Sequence, residues 1–241
     1  ARRTAAAALA RAGRNLRAAG PRRLAATGAA LVLALLLAVF AWRVPGLDDA
    51  ERSLYDLRSY LAAPKVEQDP RLLLVVYDDQ TLIAARKRSP LDRGLLAKAL
   101  ANLDALGAKA IGIDILFDQP QDEDDALVAA LRGMKTPTFV AYANVEGNRD
   151  DIVYDQQLYL DAFQRRLAGS NAHPTSIRLD FAQGVTRVWP QIAPNLPPVM
   201  ARSLLAAGGD AAAVDRFAGY RGAVRYRLPA STDRPVFTSL K

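Results

Sequence analysis

The chain has 241 residues, 51% of them hydrophobic and 24% charged, enough apolar content for one sizeable core without staples. It contains no cysteine and one histidine, His173, which excludes disulfides and thiolate metal sites and leaves little basis for a transition-metal site or a Cys-His or Ser-His pair. The net charge of +7 is confined to one end: eight arginines and no acid occupy the first 43 residues, and the remainder carries 24 basic against 25 acidic side chains, a net of −1.

That asymmetry separates two interpretations of a basic protein. Nucleic-acid binding needs basic groups spread over a folded face, and none is predicted here. Arg2, Arg3, Arg11, Arg14, Arg17, Arg22 and Arg23 instead precede Leu24–Trp42, 19 residues with no charge and no proline. About 20 apolar residues cross a bilayer, and arginines on one side mark the cytoplasmic end. Arg43 is the single exception beyond Trp42. The run is longer than the roughly 7–15 residues of a signal-peptide core, and no clean small-x-small cleavage site follows, so an uncleaved anchor is expected. The predicted organisation is a cytoplasmic tail (1–23), a transmembrane helix (24–42), a stalk helix (47–63) and an extracytoplasmic domain (64–241).

In the stalk, Leu47, Ala50, Leu54, Leu57 and Leu61 recur at heptad-like spacing. Two heptads are too few for a coiled coil, and Tyr55 adds apolar width, so packing on the domain's own sheet is favoured over a dimeric stalk. Leu72–Tyr77 is a β-rich run ending in Asp78-Asp79. Ser89-Pro90-Leu91-Asp92 has the form of a helix start, followed by Leu96, Ala99, Leu100, Leu103 and Leu106 on one face and by Gly107 as a left-handed stop. Lys109–Phe117 is apolar on both alternating faces, as in a parallel strand covered from both sides, with Asp114 inside it. Asp122–Arg132 has acids in its first turn, then Ala126, Leu127, Ala130 and Leu131 at helical spacing. Thr136–Asn144 is a third strand. The fold class is therefore α/β: a three-layer, mostly parallel sheet with a βαβαβ core, preceded by one N-terminal transmembrane helix. Asp78, Asp79, Asp114 and Asp118 would gather at the strands' carboxyl ends. Farther on, Leu160, Phe163 and Leu167 suggest a helix; Ile177, Leu179 and Phe181, and then Val185, Val188 and Trp189, suggest strands. A helix follows Pro198 and ends at Gly208-Gly209, and Val224–Leu228 and Pro235–Leu240 are further strand candidates.

Several of these segments together resemble a CHASE2 domain. They are Glu51-Arg52-Ser53-Leu54-Tyr55-Asp56-Leu57-Arg58, the strand with Asp78-Asp79, Arg93 opening the helix that leads into GAKAIGIDILFD, and Asp124-Asp125-Ala126-Leu127. Weaker likeness continues at Gly184–Arg187, the helix from Pro198, and Val236-Phe237. The resemblance implies the extracytoplasmic sensor of a bacterial inner-membrane receptor, passing a signal to a cytoplasmic output domain. An adenylate or guanylate cyclase is the first expectation for that output, with a kinase or diguanylate cyclase as others. No such catalytic domain is contained in these residues. The start at Ala1 and the stop at Lys241, where the family pattern continues with another strand and further membrane helices, lead us to expect a longer receptor.

Catalysis finds little support. Asp78-Asp79-Gln80-Thr81 follows a strand as a haloacid-dehalogenase nucleophile would, but Gln80 stands where that family's D-x-D-x-T pattern has its general acid, so capping of the next turn is the favoured role. Asp118, Asp122, Glu123, Asp124 and Asp125 could hold a hard cation, yet they lack EF-hand spacing and are explained by the helix macrodipole. A carboxylate inside an apolar strand needs a partner, so Asp114 is expected to pair with Arg93 or a backbone N-H. His173 is read as a loop residue. No phosphate-binding loop is present and no cofactor is expected. Loops at the strand ends make Asp78, Asp79, Arg93, Asp114, Phe117 and Asp118 the candidate ligand-binding residues. The expected partners are the lipid bilayer, a periplasmic ligand or protein, and a second copy of the chain as a homodimer. An anchored metal-dependent hydrolase and a scaffold module using the sheet edge or stalk helix are the alternatives.

Overall fold

The structure, a computed structural model, describes residues 20–40, 46–86, 91–147, 152–179, 184–193, 195–209, 211–217, 220 and 222–240. The chain divides into two units, Ala1–Lys65 with Tyr226–Leu228, and Val66–Arg225 with Pro229–Lys241.

The first unit contains α1 (Pro21–Phe40) and α2 (Leu47–Ala62). By length and composition α1 can cross a membrane: it has 20 residues, a mean hydropathy of 2.2 and no buried residue. It begins three residues before the expected span, and Trp42 and Arg43 lie outside the described residues. In α2, Asp48 and Asp49 occupy the first turn, where acids complement the helix dipole, and Arg52 pairs with Asp48 at 2.6 Å. Leu47, Leu54, Leu57, Tyr60 and Leu61 are exposed, and α2 buries no residue. The cover expected from the domain's own sheet is not supplied within this unit.

The second unit carries parallel strands in small sheets. β1 (Asp69–Val75) pairs in parallel with β5 (Phe237–Leu240), opening with the Asp69 N-H on the Val236 carbonyl at 2.7 Å. Pro70 has no N-H to donate, and the register shifts between Asp69 and Leu73 before pairing resumes. β1 was expected to open the βαβαβ series. Its sheet partner is instead the end of the described chain, and Leu72–Val75 remain 47–56% exposed.

A strand-helix succession begins one strand later. β2 (Ile111–Ile113), β3 (Thr138–Tyr142) and β4 (Ala172–Ser176) form a parallel sheet in that order, with α5 (Asp124–Gly133) and α6 (Tyr154–Arg166) in the connections. α4 (Arg93–Ala105) precedes β2, and Gly107 closes it at φ 76°, a conformation that a Cβ disfavours. The expected N-cap Ser89 lies outside the described residues; the helix is capped by Asp92, whose carboxylate accepts the Leu95 N-H at 2.9 Å. At the other end Asp104 accepts the N-H groups of Thr136 and Lys135, tying α4 to the start of β3, and the Thr136 hydrogen bonds hold its carboxyl below the usual carboxylate range.

The core keeps part of the periodicity read from the sequence: Leu100, Leu127 and Leu131 are buried as expected, but Leu106 is 82% exposed and Ala126 exposed, while Ala97 and Val128, outside the expected stripes, are buried. Ala97 and Leu100 of α4, Leu127, Val128 and Leu131 of α5, and Phe163 of α6 meet Ile113 and Val140 of the sheet, with Phe117, Met134, Leu167 and Ala172. Each full burial of such a side chain contributes about 1.5–3 kcal/mol. On the alternate face, α7 (Met200–Ala207) lies so close to Gly112 that a Cβ there would stand 2.9 Å from Met200 Sδ and 3.0 Å from Leu204 Cδ1. Glycine at this point lets the helix sit on the strand. α8 (Ala211–Phe217) packs beside α7. Of the other strands expected, Ile177 and Leu179 lie beyond the end of β4 in no strand and Phe181 lies outside the described residues, and Val188 makes a single antiparallel bridge to Ala223.

Candidate functional site

Arg93 is the first residue of α4 and is only 2% exposed, so its charge must be met inside the protein. Nη1 donates to Asp124 Oδ1 and Nη2 donates to the Gln119 carbonyl at 2.7 Å. Asp124 also accepts from the Tyr159 hydroxyl and from the Gln121 N-H, the latter at 3.2 Å. The guanidinium carbon lies 5.2 Å from the Phe117 ring centroid and 5.9 Å from that of Phe163, and the two rings are 5.0 Å apart. Ion pair, hydrogen bonds and cation-π contacts thus bind α4, the β2–α5 loop, α5 and α6 at one buried point.

Of the six residues predicted to bind ligand, three meet here. Arg93, Phe117 and Asp118 line a cavity of about 50 Å³ with Gln121, whose buried Oε1 has no hydrogen-bond partner among the described residues. Asp118 accepts from Gln156 Nε2 of α6 at 2.6 Å. The other three lie elsewhere. Asp114 is exposed, because β2 stops at Ile113, and Arg93 has taken Asp124 as its partner instead. Asp78 caps α3 (Asp79–Ala85), accepting from the N-H and hydroxyl of Thr81 at 3.0 and 3.1 Å, and Asp79 is exposed in its first turn. Both follow β1, a strand of the other sheet, so the expected gathering of the four aspartates at one sheet edge is not formed.

Asp124 is the residue that sequence reasoning missed. Its place in an acidic first turn offered a sufficient local explanation, and its partner lies 31 positions away. The same turn gives Asp125 to Arg166 of α6. His173, read as a loop residue, stands exposed on β4 with its ring 6.3 Å from that of Phe139.

A second and larger concavity, about 460 Å³, runs along β4 and α6. At its wall the Tyr142 hydroxyl donates to Asp161 Oδ1 at 2.7 Å. Burial, then the hydrogen bond and charge of Asp161, push the phenol from 10.0 up to about 12. A folded value above the unfolded one favours the protonated state, so the stability it confers is complete below pH 10.0 and lost as pH rises toward 12. Urea unfolding of the protein beside its Tyr142→Phe variant should show a constant stability difference up to about pH 9 and a progressive loss by the parent above it. Parallel curves through pH 11 would contradict the assignment.

Comparison with known proteins gives one match. The family model described as CHASE2 domain covers residues 33–234, well over half of the chain. No curated protein and no solved structure matches. CHASE2 is an extracytoplasmic sensory domain family. The match begins inside α1 and runs through Arg93, the buried cluster and β4 to the approach of β5, and on that extent the chain belongs to the CHASE2 family.

Proposed function

We propose that the chain is the sensory portion of a bacterial transmembrane receptor, with its N-terminus in the cytoplasm and the domain from residue 64 outside the inner membrane. The observation that carries the reading is the family match, which begins within α1, a helix apolar enough to cross a membrane, and runs on through the α/β domain; five arginines precede that helix and two more lie in its first turn. The near-neutral charge beyond residue 43 suits a domain that meets neither nucleic acid nor the anionic inner leaflet. In this reading the core is three-layered, with α4, α5 and α6 on one face of the β2–β3–β4 sheet and α7 on the other. The receptor works as a homodimer, and α2 carries movement of the domain to the membrane. The output is a cytoplasmic adenylate or guanylate cyclase.

The test compares cyclic-nucleotide production by the complete receptor in bacterial membranes with that of a form in which the domain is unfolded by Leu127→Asp, a charge placed at a fully buried core position. A sensor predicts a changed output at equal receptor abundance. Equal output from both forms, across growth media, would overturn the reading.

A further inference from the structure

The groove along β4 and α6 has chemistry that the core does not use. Asp161 and Arg165 both line it, one helical turn apart on α6, yet they are not paired with each other. Among the described residues Asp161 is bound only by the Tyr142 hydroxyl, and the Arg165 guanidinium has no partner. Between them in sequence, Gln164 lines the groove with both amide atoms buried and without a hydrogen-bond partner among the described residues.

The strand edge opposite is unusual in the same way. Thr138 donates to the Asn171 carbonyl, so in the parallel ladder Ala172, Pro174 and Ser176 turn their backbone groups away from β3. The Ala172 N-H is taken by Ser170 Oγ at 3.2 Å, the Ser176 N-H by the Pro198 carbonyl at 3.0 Å, and Pro174 has none. The open stretch therefore offers the carbonyls of Ala172 and Pro174 as acceptors and no donor. An extended peptide adding as a strand needs both, which excludes that mode. A compact ligand carrying its own N-H groups fits.

We propose that this groove is the ligand site of the sensor and takes a small zwitterion of the α-amino-acid class. Its carboxylate lies at Arg165, its ammonium at Asp161 and the Ala172 and Pro174 carbonyls, and its side chain against Leu167 and Pro197. Opposite charges one helical turn apart, about 5–6 Å between their Cβ atoms, bracket a ligand whose own charges are close together. The volume of about 460 Å³ lies in the range of small-molecule sites. The proposal rests on the sensor reading for its biological meaning, though the binding itself does not require it.

The experiment uses the full chain in lipid nanodiscs, thermal unfolding as readout, and the twenty free L-amino acids as probes, each beside its N-acetyl and methyl-ester forms. At least one free amino acid should raise the melting temperature in a dose-dependent way, and both blocked forms should be about tenfold weaker or worse, since each removes one charge-assisted contact. Arg165→Ala, which removes no hydrogen bond or ion pair among the described residues, should weaken binding of the free form about tenfold and leave the methyl-ester form, which has no carboxylate for Arg165 to hold, unaffected. No shift from any amino acid up to about 10 mM, or an equal shift from the blocked forms, would overturn the proposal, as would a shift that survives Arg165→Ala. If binding fails while unfolding the domain still changes receptor output, the groove assignment falls and the sensor reading stands. If an amino acid binds as described and output ignores it, the groove stands and the sensor reading falls.

Discussion

Replacing Arg93 by alanine is expected to lower the free energy of unfolding by about 3–5 kcal/mol, the largest effect of any single substitution outside the apolar core. The cost comes from what is left behind. Asp124, buried at 7% exposure, would keep its negative charge while losing Nη1, and the Gln119 carbonyl would lose Nη2. The Tyr159 hydroxyl and the Gln121 N-H still reach the carboxylate but carry no positive charge. A second variant separates charge from packing: in Arg93→Met with Asp124→Leu neither charge remains, and apolar groups fill the space between Phe117 and Phe163. Replacement of a buried pair by apolar residues is often neutral or stabilising, so the double variant should recover most of the loss. Urea midpoints of the single and double variants measure both quantities. A double variant as unstable as Arg93→Ala would mean that the hydrogen bonds, and not the uncompensated charge, dominate.

Phe163→Ala should cost about 3–5 kcal/mol, by transfer of a fully buried ring and by the cavity that remains. Phe163 is 1% exposed, packs on Phe117 and forms one wall of the guanidinium site. Because ring and guanidinium touch, the two effects should not add: a cycle through Arg93→Ala, Phe163→Ala and the double variant should give a coupling of about 0.5–3 kcal/mol. Leu100→Ala, in the same cluster but without the cation, serves as the comparison. Strict additivity between Arg93 and Phe163 would show that the ring acts on the core alone.

The legible parts of this chain were those whose reasons are local. The stripe that buries Leu100 in α4, the pattern that buries Leu127 and Leu131 in α5, and the left-handed Gly107 all depend on neighbours within a turn or two. Long-range choices were hidden. The Leu72–Tyr77 run is apolar on both faces, as a central strand would be, and nothing near it in sequence reveals that β1 takes β5 as its partner. Asp114 looked buried because the alternation Ile111, Ile113, Ile115 extends past the point where the strand ends; in the fold β2 stops at Ile113 and the carboxylate reaches solvent. Arg93 drew attention as a helix-start residue, yet its partner lay inside an acidic run that the helix dipole already explained. The groove was invisible for a similar reason. Asp161, Gln164 and Arg165 form the polar side of an amphipathic helix, and only the fold brings them against the donor-poor edge of β4.

Arg93, Phe117 and Asp118 meet at a point too small for more than a water molecule or two, which makes that cluster the brace of the domain, while the groove along β4 and α6 has the room and the unspent polar groups. A receptor needs both, a rigid element to transmit and an open one to be occupied.

Because the chain has no cysteine, its placement across the membrane can be read with single introduced thiols. Asp233→Cys, on an exposed residue of the domain, and Arg11→Cys, in the arginine-rich tail, are each treated in intact spheroplasts with a membrane-impermeant maleimide. The account predicts labelling at position 233 without permeabilisation and at position 11 only after it. The reverse pattern would put the domain in the cytoplasm and contradict an extracytoplasmic sensor.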